Sequence, residues 1–232
     1  MITFLAACNA QGSASDEALL EIALSPAAQS VQAALAACGA SQTARLHVEQ
    51  RVPGQTNPED YDVIIQLGPP QDTDFFAAPL AEEQILIAVN PLNPADSLNR
   101  IDLAEIFRGQ IDQWAALDGP DDAISVWVGP EGDEARRALQ TDFLQGSPVT
   151  GNAHIAATPQ LMLDAIASDP NAIGVLPAAW ADASVKTIDV GLRVPLLALS
   201  ASEPQGPART LINCLQSEVG QAILSQSYPT LP

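Results

Sequence analysis

Cationic side chains are scarce in this chain. Lys186 is its one lysine, and 9 Lys+Arg stand against 28 Asp+Glu, for a formal net charge of −19 and a pI near 4.1. So acidic a surface cannot release enough counterions to hold a nucleic-acid backbone, and an anionic lipid surface repels it. Aromatic residues are few, at 4%, so stacking platforms for sugars are not expected. No run of 18 apolar residues occurs, so no bilayer-spanning helix is expected. The chain contains no G-x-S-x-G elbow, no G-x-x-x-x-G-K-[ST] loop and no G-x-G-x-x-G fingerprint. Its two histidines, His47 and His154, lie far apart without H-x-x-x-H or C-x-x-C spacing. Neither a metal nor a cofactor is expected, and catalysis is the weak hypothesis. The adjacent carboxylates Glu82-Glu83 and Asp121-Asp122 read as solvated surface.

What is present suffices for a core. Hydrophobic residues make up 47% of the 232 positions and charged residues 16%, which fits two lobes of about 100 residues each. The chain opens on an apolar stretch ending in Leu5-Ala6-Ala7-Cys8, followed by a polar run to Asp16. Leu-Ala-Ala-Cys resembles a bacterial lipobox, which would make Cys8 the lipidated residue and residues 9–18 a tether. Only seven residues, none basic, precede Cys8. Either the signal begins upstream of Met1, or residues 1–8 are an ordinary apolar N-terminus. Cys38 shares a helical face with Val31 and Leu35, and Cys214 lies near Leu211 and Leu215. Two inert buried thiols or a disulfide in an oxidising compartment both remain open.

Strands and helices alternate along the sequence. Residues 19–24 read as a strand, and Ser25-Pro26 then offers an N-cap and a first-turn proline for a helix that stops at Gly39. Residues 46–48, 62–67 and 84–90 read as strands, the last two as short apolar runs buried on both faces. A short helix is expected at 103–107, a strand at 124–128 and a helix at 131–144. Thr158-Pro159 opens another helix ending near Ala167, followed by strands at 172–176, 185–190 and 194–199. Pro207 opens a final helix through Leu224. The pattern predicts an α/β fold with mixed, mostly parallel sheets, and no 20–50-residue repeat is visible.

Four segments in series resemble the phosphate-binding proteins of bacterial ABC importers, the PBP-like family. Asn90-Pro91-Leu92-Asn93-Pro94 is similar to its N-P-x-N-P. Residues 106–114, from Ile106-Phe107-Arg108-Gly109 to Trp114, are similar to its I-F-x-G-x-I-x-x-W. Asp169-Pro170-Asn171-Ala172-Ile173-Gly174-Val175 resembles its x-P-x-A-I-G turn and strand. Ser217-Glu218-Val219-Gly220-Gln221-Ala222-Ile223 resembles its closing S-P-E-G-Q-A-I helix. The resemblance runs from about Leu19 to the end of the chain. It implies a two-lobed, type II-like clamshell, with residues 19–88 and 177–232 in lobe 1 and 89–176 in lobe 2. It further implies an extracytoplasmic solute-binding protein, monomeric, partnered by a membrane permease and touching the membrane only through a lipid anchor. Cys38 and Cys214 would then share a lobe and could pair.

The resemblance also implies a site. Ser25, with Pro26 and Ala27, stands where the family has its first-lobe serine. The second-lobe loop departs from the family's R-x-[DE]-G-S-G-T, reading Gly129-Pro130-Glu131-Gly132-Asp133-Glu134-Ala135-Arg136. Only Glu131, Gly132 and Arg136 keep the pattern. Asp133 and Glu134 would cap a helix and repel phosphate. At a separation of about 4 Å and an effective dielectric near 20, two like charges cost about 4 kcal/mol, or roughly a thousandfold in affinity. Two readings follow: a cleft retuned for a cationic, zwitterionic or neutral solute, with Asp133 and Glu134 as selectivity groups and Arg136 held nearby as an ion-pair partner, or a clamshell kept as a scaffold without tight binding. Trp127 and Trp180 flank the expected cleft and read as core more than as platform.

Overall fold

The computed structural model describes residues 18–40, 42, 44–53, 56–70, 74–93 and 98–228. Cys8 and the 9–18 tether, apart from Ala18, lie outside the described residues. Eight strands form one sheet in the order β2-β1-β3-β8-β4-β7-β5-β6. They are β1 (Leu19–Leu24), β2 (Arg45–Gln50), β3 (Val63–Leu67), β4 (Phe76–Val89), β5 (Ser125–Val128), β6 (His154–Ile155), β7 (Ala172–Pro177) and β8 (Lys186–Ser200). Among the described residues six α-helices accompany them: α1 (Gln32–Gly39), α2 (Arg100–Arg108), α3 (Glu134–Ala138), α4 (Pro159–Ser168), α5 (Gly206–Gln216) and α6 (Glu218–Leu224).

The sheet has two parallel wings. β1 pairs in parallel with β2 and β3, and β5 with β6 and β7. The wings are joined by the long antiparallel pair β4–β8, which runs from Phe76 opposite Ser200 to Val89 opposite Lys186. β3 borders this pair on one side and β7 on the other, both antiparallel. Two separate strands, 185–190 and 194–199, were expected where one continuous β8 runs. Ile85 faces Leu192 while Leu86 faces Asp189, so Val190 and Gly191 bulge out, Gly191 at φ +77°. The extra residues are absorbed as a bulge and the ladder continues.

The family-like segments earn their places by packing and capping. Phe107 and Trp114 are fully buried. Asn90 donates to the carbonyls of Ile166 and Ala167 and Asn93 to that of Pro170, so these asparagines cover the C-terminal end of α4 and the turn that follows it. The single helix expected after Pro207 breaks at Ser217, whose hydroxyl donates to the Cys214 carbonyl and accepts from Gly220 N–H, starting α6. A Cβ on Gly220 would meet the Cys214 and Leu215 carbonyls at 2.3 and 2.5 Å, which is why that position in the closing segment is glycine. Cys38 of α1 and Cys214 of α5 are joined by a disulfide, with Cα atoms 5.7 Å apart.

One expectation fails outright. Glu83, read as half of a solvated pair, is fully buried while Glu82 remains half-exposed. Glu83 shares the face of β4 that carries Ile85 and Ile87, and alternation of side chains along the strand sends it inward. Burial pushes its carboxyl up to about 7, against the backbone N–H groups of Gln84, Ala179 and Ala178.

Candidate functional site

The C-terminal ends of β1 and β3 in one wing face the segment after β5 in the other, across the β4–β8 pair. Ser25 follows β1, is buried, and accepts from Ala28 N–H at 3.2 Å, capping the short 3-10 helix Pro26–Val31. Its own N–H donates to the Ile65 carbonyl of β3. Ala27, also buried, presents its carbonyl to Trp180 Nε1 at 3.2 Å. Trp180 sits in the turn Ala178–Trp180 directly after β7, so this bond fixes the chain leaving β7 against the Ser25 rim.

On the other side the helix expected over 131–144 starts three residues later and is split into α3 and a π-helical turn, Leu139–Phe143. Asp133 is the N-cap of α3 and accepts from Arg136 N–H at 2.8 Å. Burial raises its carboxyl, while the N–H groups of Arg136 and Ala135 and the charges of Arg136 and Arg137 oppose that shift. Glu131 is largely exposed and takes Arg136 as its ion-pair partner at 2.7 Å. The second guanidinium nitrogen of Arg136 donates to the Gly129 carbonyl. Gly132, at φ +87°, brings the loop so close to the first wing that a Cβ would lie 2.7 Å from the Pro53 carbonyl.

Glu134 behaves differently from its neighbours. It is only 3% exposed, and its carboxylate accepts from Leu67 N–H of β3 at 3.1 Å. Burial, then the charge of Asp133, raise it to about 7; hydrogen bonding from the Ser25 hydroxyl and Leu67 N–H works against that rise. One turn on, Arg137 donates to the carbonyl of the same Leu67 at 3.2 Å. The Leu67 peptide is thus gripped at both its donor and its acceptor by α3. Beside this grip lies a cavity of about 220 Å³ lined by Gly68, Pro69 and Pro70 from one side and Glu134, Arg137, Thr141 and Asp142 from the other.

Ser25 and Glu134, picked out from the sequence in separate segments, therefore come together. Pro26 and Ala27 continue the same rim. Glu131, Gly132, Asp133 and Arg136 line the opposite loop, but Asp133 and Arg136 turn inward to their own segment. Leu67, Arg137 and Trp180 complete the contact. Leu67 and Arg137 carried no sequence signal, because one acts through its peptide and the other reads as a surface cation. Tyr228 is a further absentee. It is buried, donates to the Ala28 carbonyl at 3.3 Å, and is pushed upward by burial and by the charges of Glu83 and Glu134. Trp127 stacks on the His154 ring, centroids 4.7 Å apart, and packs on the α4 side of the core. No group of three or more metal-ligating side chains exists among the described residues.

A family model described as the PBP superfamily domain matches residues 55–208, more than half of the sequence, and the chain belongs to that superfamily. No curated protein matches the sequence. Among solved structures, a phosphate ABC transporter substrate-binding protein from Clostridium perfringens with bound phosphate is similar over 92% of this chain and 100% of its own, with a TM-score of 0.83 at 18% identity. An ABC-type phosphate transport receptor from Vibrio cholerae gives a TM-score of 0.70 at 20% identity, covering 91% of this chain and all of its own. Reduced OxyR from Neisseria meningitidis gives 0.64 at 15% identity over 92% of this chain and 99% of its own. At these identities the likeness is one of fold. It makes the architecture that of a two-lobed, phosphate-binding-protein-like clamshell.

Proposed function

We propose that this chain is an extracytoplasmic solute-binding protein of an ABC-type importer, taking its solute between the two wings and handing it to a membrane permease. The lobes are residues 19–88 with 177–232, and residues 89–176. The observation that carries the reading is the meeting of Ser25, Leu67, Glu134 and Arg137 across the β4–β8 pair beside a small cavity, in a chain of the PBP superfamily. Two transport proteins named for phosphate share the fold over more than nine-tenths of this chain, with TM-scores of 0.83 and 0.70. The Cys38–Cys214 disulfide supports an oxidising compartment, and the lipobox-like Cys8 supports a lipid anchor with the body outside the membrane. No helix among the described residues is long and apolar enough to cross a membrane.

A second reading has one specific observation in its favour. The Leu67 and Ser25 donors are already engaged by the chain's own Glu134, which suits a clamshell kept closed as a scaffold. A thermal-melt screen against phosphate, other oxyanions, amino acids, polyamines and small sugars separates the two. A solute at a hundred times its dissociation constant stabilises by about 2.7 kcal/mol, which is roughly 5–11 °C for a protein of this size. A shift with any solute supports transport; a flat screen supports the scaffold.

A further inference from the structure

We propose that Glu134 sets the specificity of the cleft: its carboxylate occupies the donors that an incoming anion would use, so that oxyanions are turned away and neutral or cationic solutes are favoured. The proposal deepens the solute-binding reading and rests on it. Three acidic residues in four positions look equivalent in the sequence, yet only one of them crosses the cleft. Glu131 points to solvent and is paired with Arg136. Asp133 is spent on its own helix. Glu134 alone reaches the other wing, where Leu67 N–H and the Ser25 hydroxyl meet it.

Among the described residues no guanidinium forms an ion pair with Glu134. Arg136 is used by Gly129 and Glu131, and Arg137 reaches past to the Leu67 carbonyl. A carboxylate 3% exposed and held by neutral N–H and O–H donors stands in the relation to the protein that a bound oxyanion would have in a dry cleft. A second anion arriving in the adjoining cavity would face that charge at close range, a repulsion of about a thousandfold in affinity at 4 Å and an effective dielectric near 20. The cavity wall also carries Arg137 and Asp142, one charge of each sign, so the preference rests on Glu134.

The test is isothermal titration of the full chain with inorganic phosphate at pH 8, comparing wild type with Glu134→Ala and Glu134→Gln. Wild type is expected to bind phosphate at least a hundredfold more weakly than Glu134→Ala. Glu134→Gln, which keeps the side chain's volume and removes its charge, is expected in between, at least tenfold tighter than wild type. It decides the matter alone if the alanine variant does not fold. Wild-type phosphate affinity equal to that of both variants overturns the proposal. So does a cooperatively folded variant pair that binds phosphate no better than wild type. If that second result comes with a wild-type melt shift by another solute, the solute-binding reading stands and only the role of Glu134 falls. If wild type is silent to every solute as well, both fall.

Discussion

The two rims of the cleft are built by the same local rule and meet the cleft with opposite chemistry. Each has a strand followed by a short polar residue that caps a helix: Ser25 directly after β1, and Asp133 after the four-residue loop that follows β5. The first rim is neutral, since Ser25, Pro26 and Ala27 offer a hydroxyl and a carbonyl. The second is crowded with carboxylates, and they are satisfied in three different ways. One is paired in solvent, one is turned into its own helix, and one is buried against the first rim. Capping chemistry alone therefore does not say what a rim presents; which groups remain for a partner is decided by the geometry one residue further on. The rims are also backed differently. The helix that continues the first rim is tied to α5 by the Cys38–Cys214 disulfide, whereas α3 is held by its cap, by packing and by the hydrogen bonds of Glu134 and Arg137 to the Leu67 peptide.

The largest expected effect comes from removing that staple. Cys38 and Cys214 are 176 residues apart, and opening so long a loop should cost about 5 kcal/mol. Denaturant melts of the doubly serine-substituted chain should show it, and the reduced wild-type protein should behave alike.

A smaller effect is written in the buried carboxyls. Glu83 and Glu134 both sit at about 7 in the folded protein, above an ordinary value of 4.5. The folded state therefore binds more protons than the unfolded chain between those values, and stability should fall as pH rises through that window. Each group is worth on the order of 3 kcal/mol, levelling off above pH 8. Glu134→Gln should remove its share of the slope and be the more stable protein at pH 8; an unchanged slope in stability against pH would show that Glu134 is not the group titrating.

Asp133→Ala should cost about 1 kcal/mol, the usual value of an N-cap, and Asp133→Ser should restore it. Neither should change phosphate affinity as Glu134→Ala does, and a chemical melt beside a phosphate titration reads both. Glu131→Gln, at an exposed ion pair, should leave the melt nearly unmoved.

Much of this was legible in the order of residues. Ser25-Pro26 and Thr158-Pro159 marked helix starts because a cap and a first-turn proline are local signals, and β3 was found as an apolar run. The failures were of range. Glu83 reads as surface from the sequence because the apolar run begins only at Gln84, and alternation places it beside Ile85 only once β4 extends back to Phe76. β8 looked like two strands because Gly191 punctuates it, and only pairing with β4 carries the ladder through. Asp133 and Glu134 looked equivalent because a sequence shows how many charges a helix start has, not which of them turns back and which crosses. Leu67 was invisible as a site residue because its contribution is a peptide group.

The account turns on Glu134 holding the Leu67 amide from across the cleft. Hydrogen exchange at that amide, followed by NMR at pH 8, reads the contact itself. In Glu134→Ala the Leu67 N–H should exchange at least tenfold faster than in wild type while the other β3 amides keep their rates. An unchanged Leu67 rate would mean that the two wings are not joined there, and the account would be wrong at its centre.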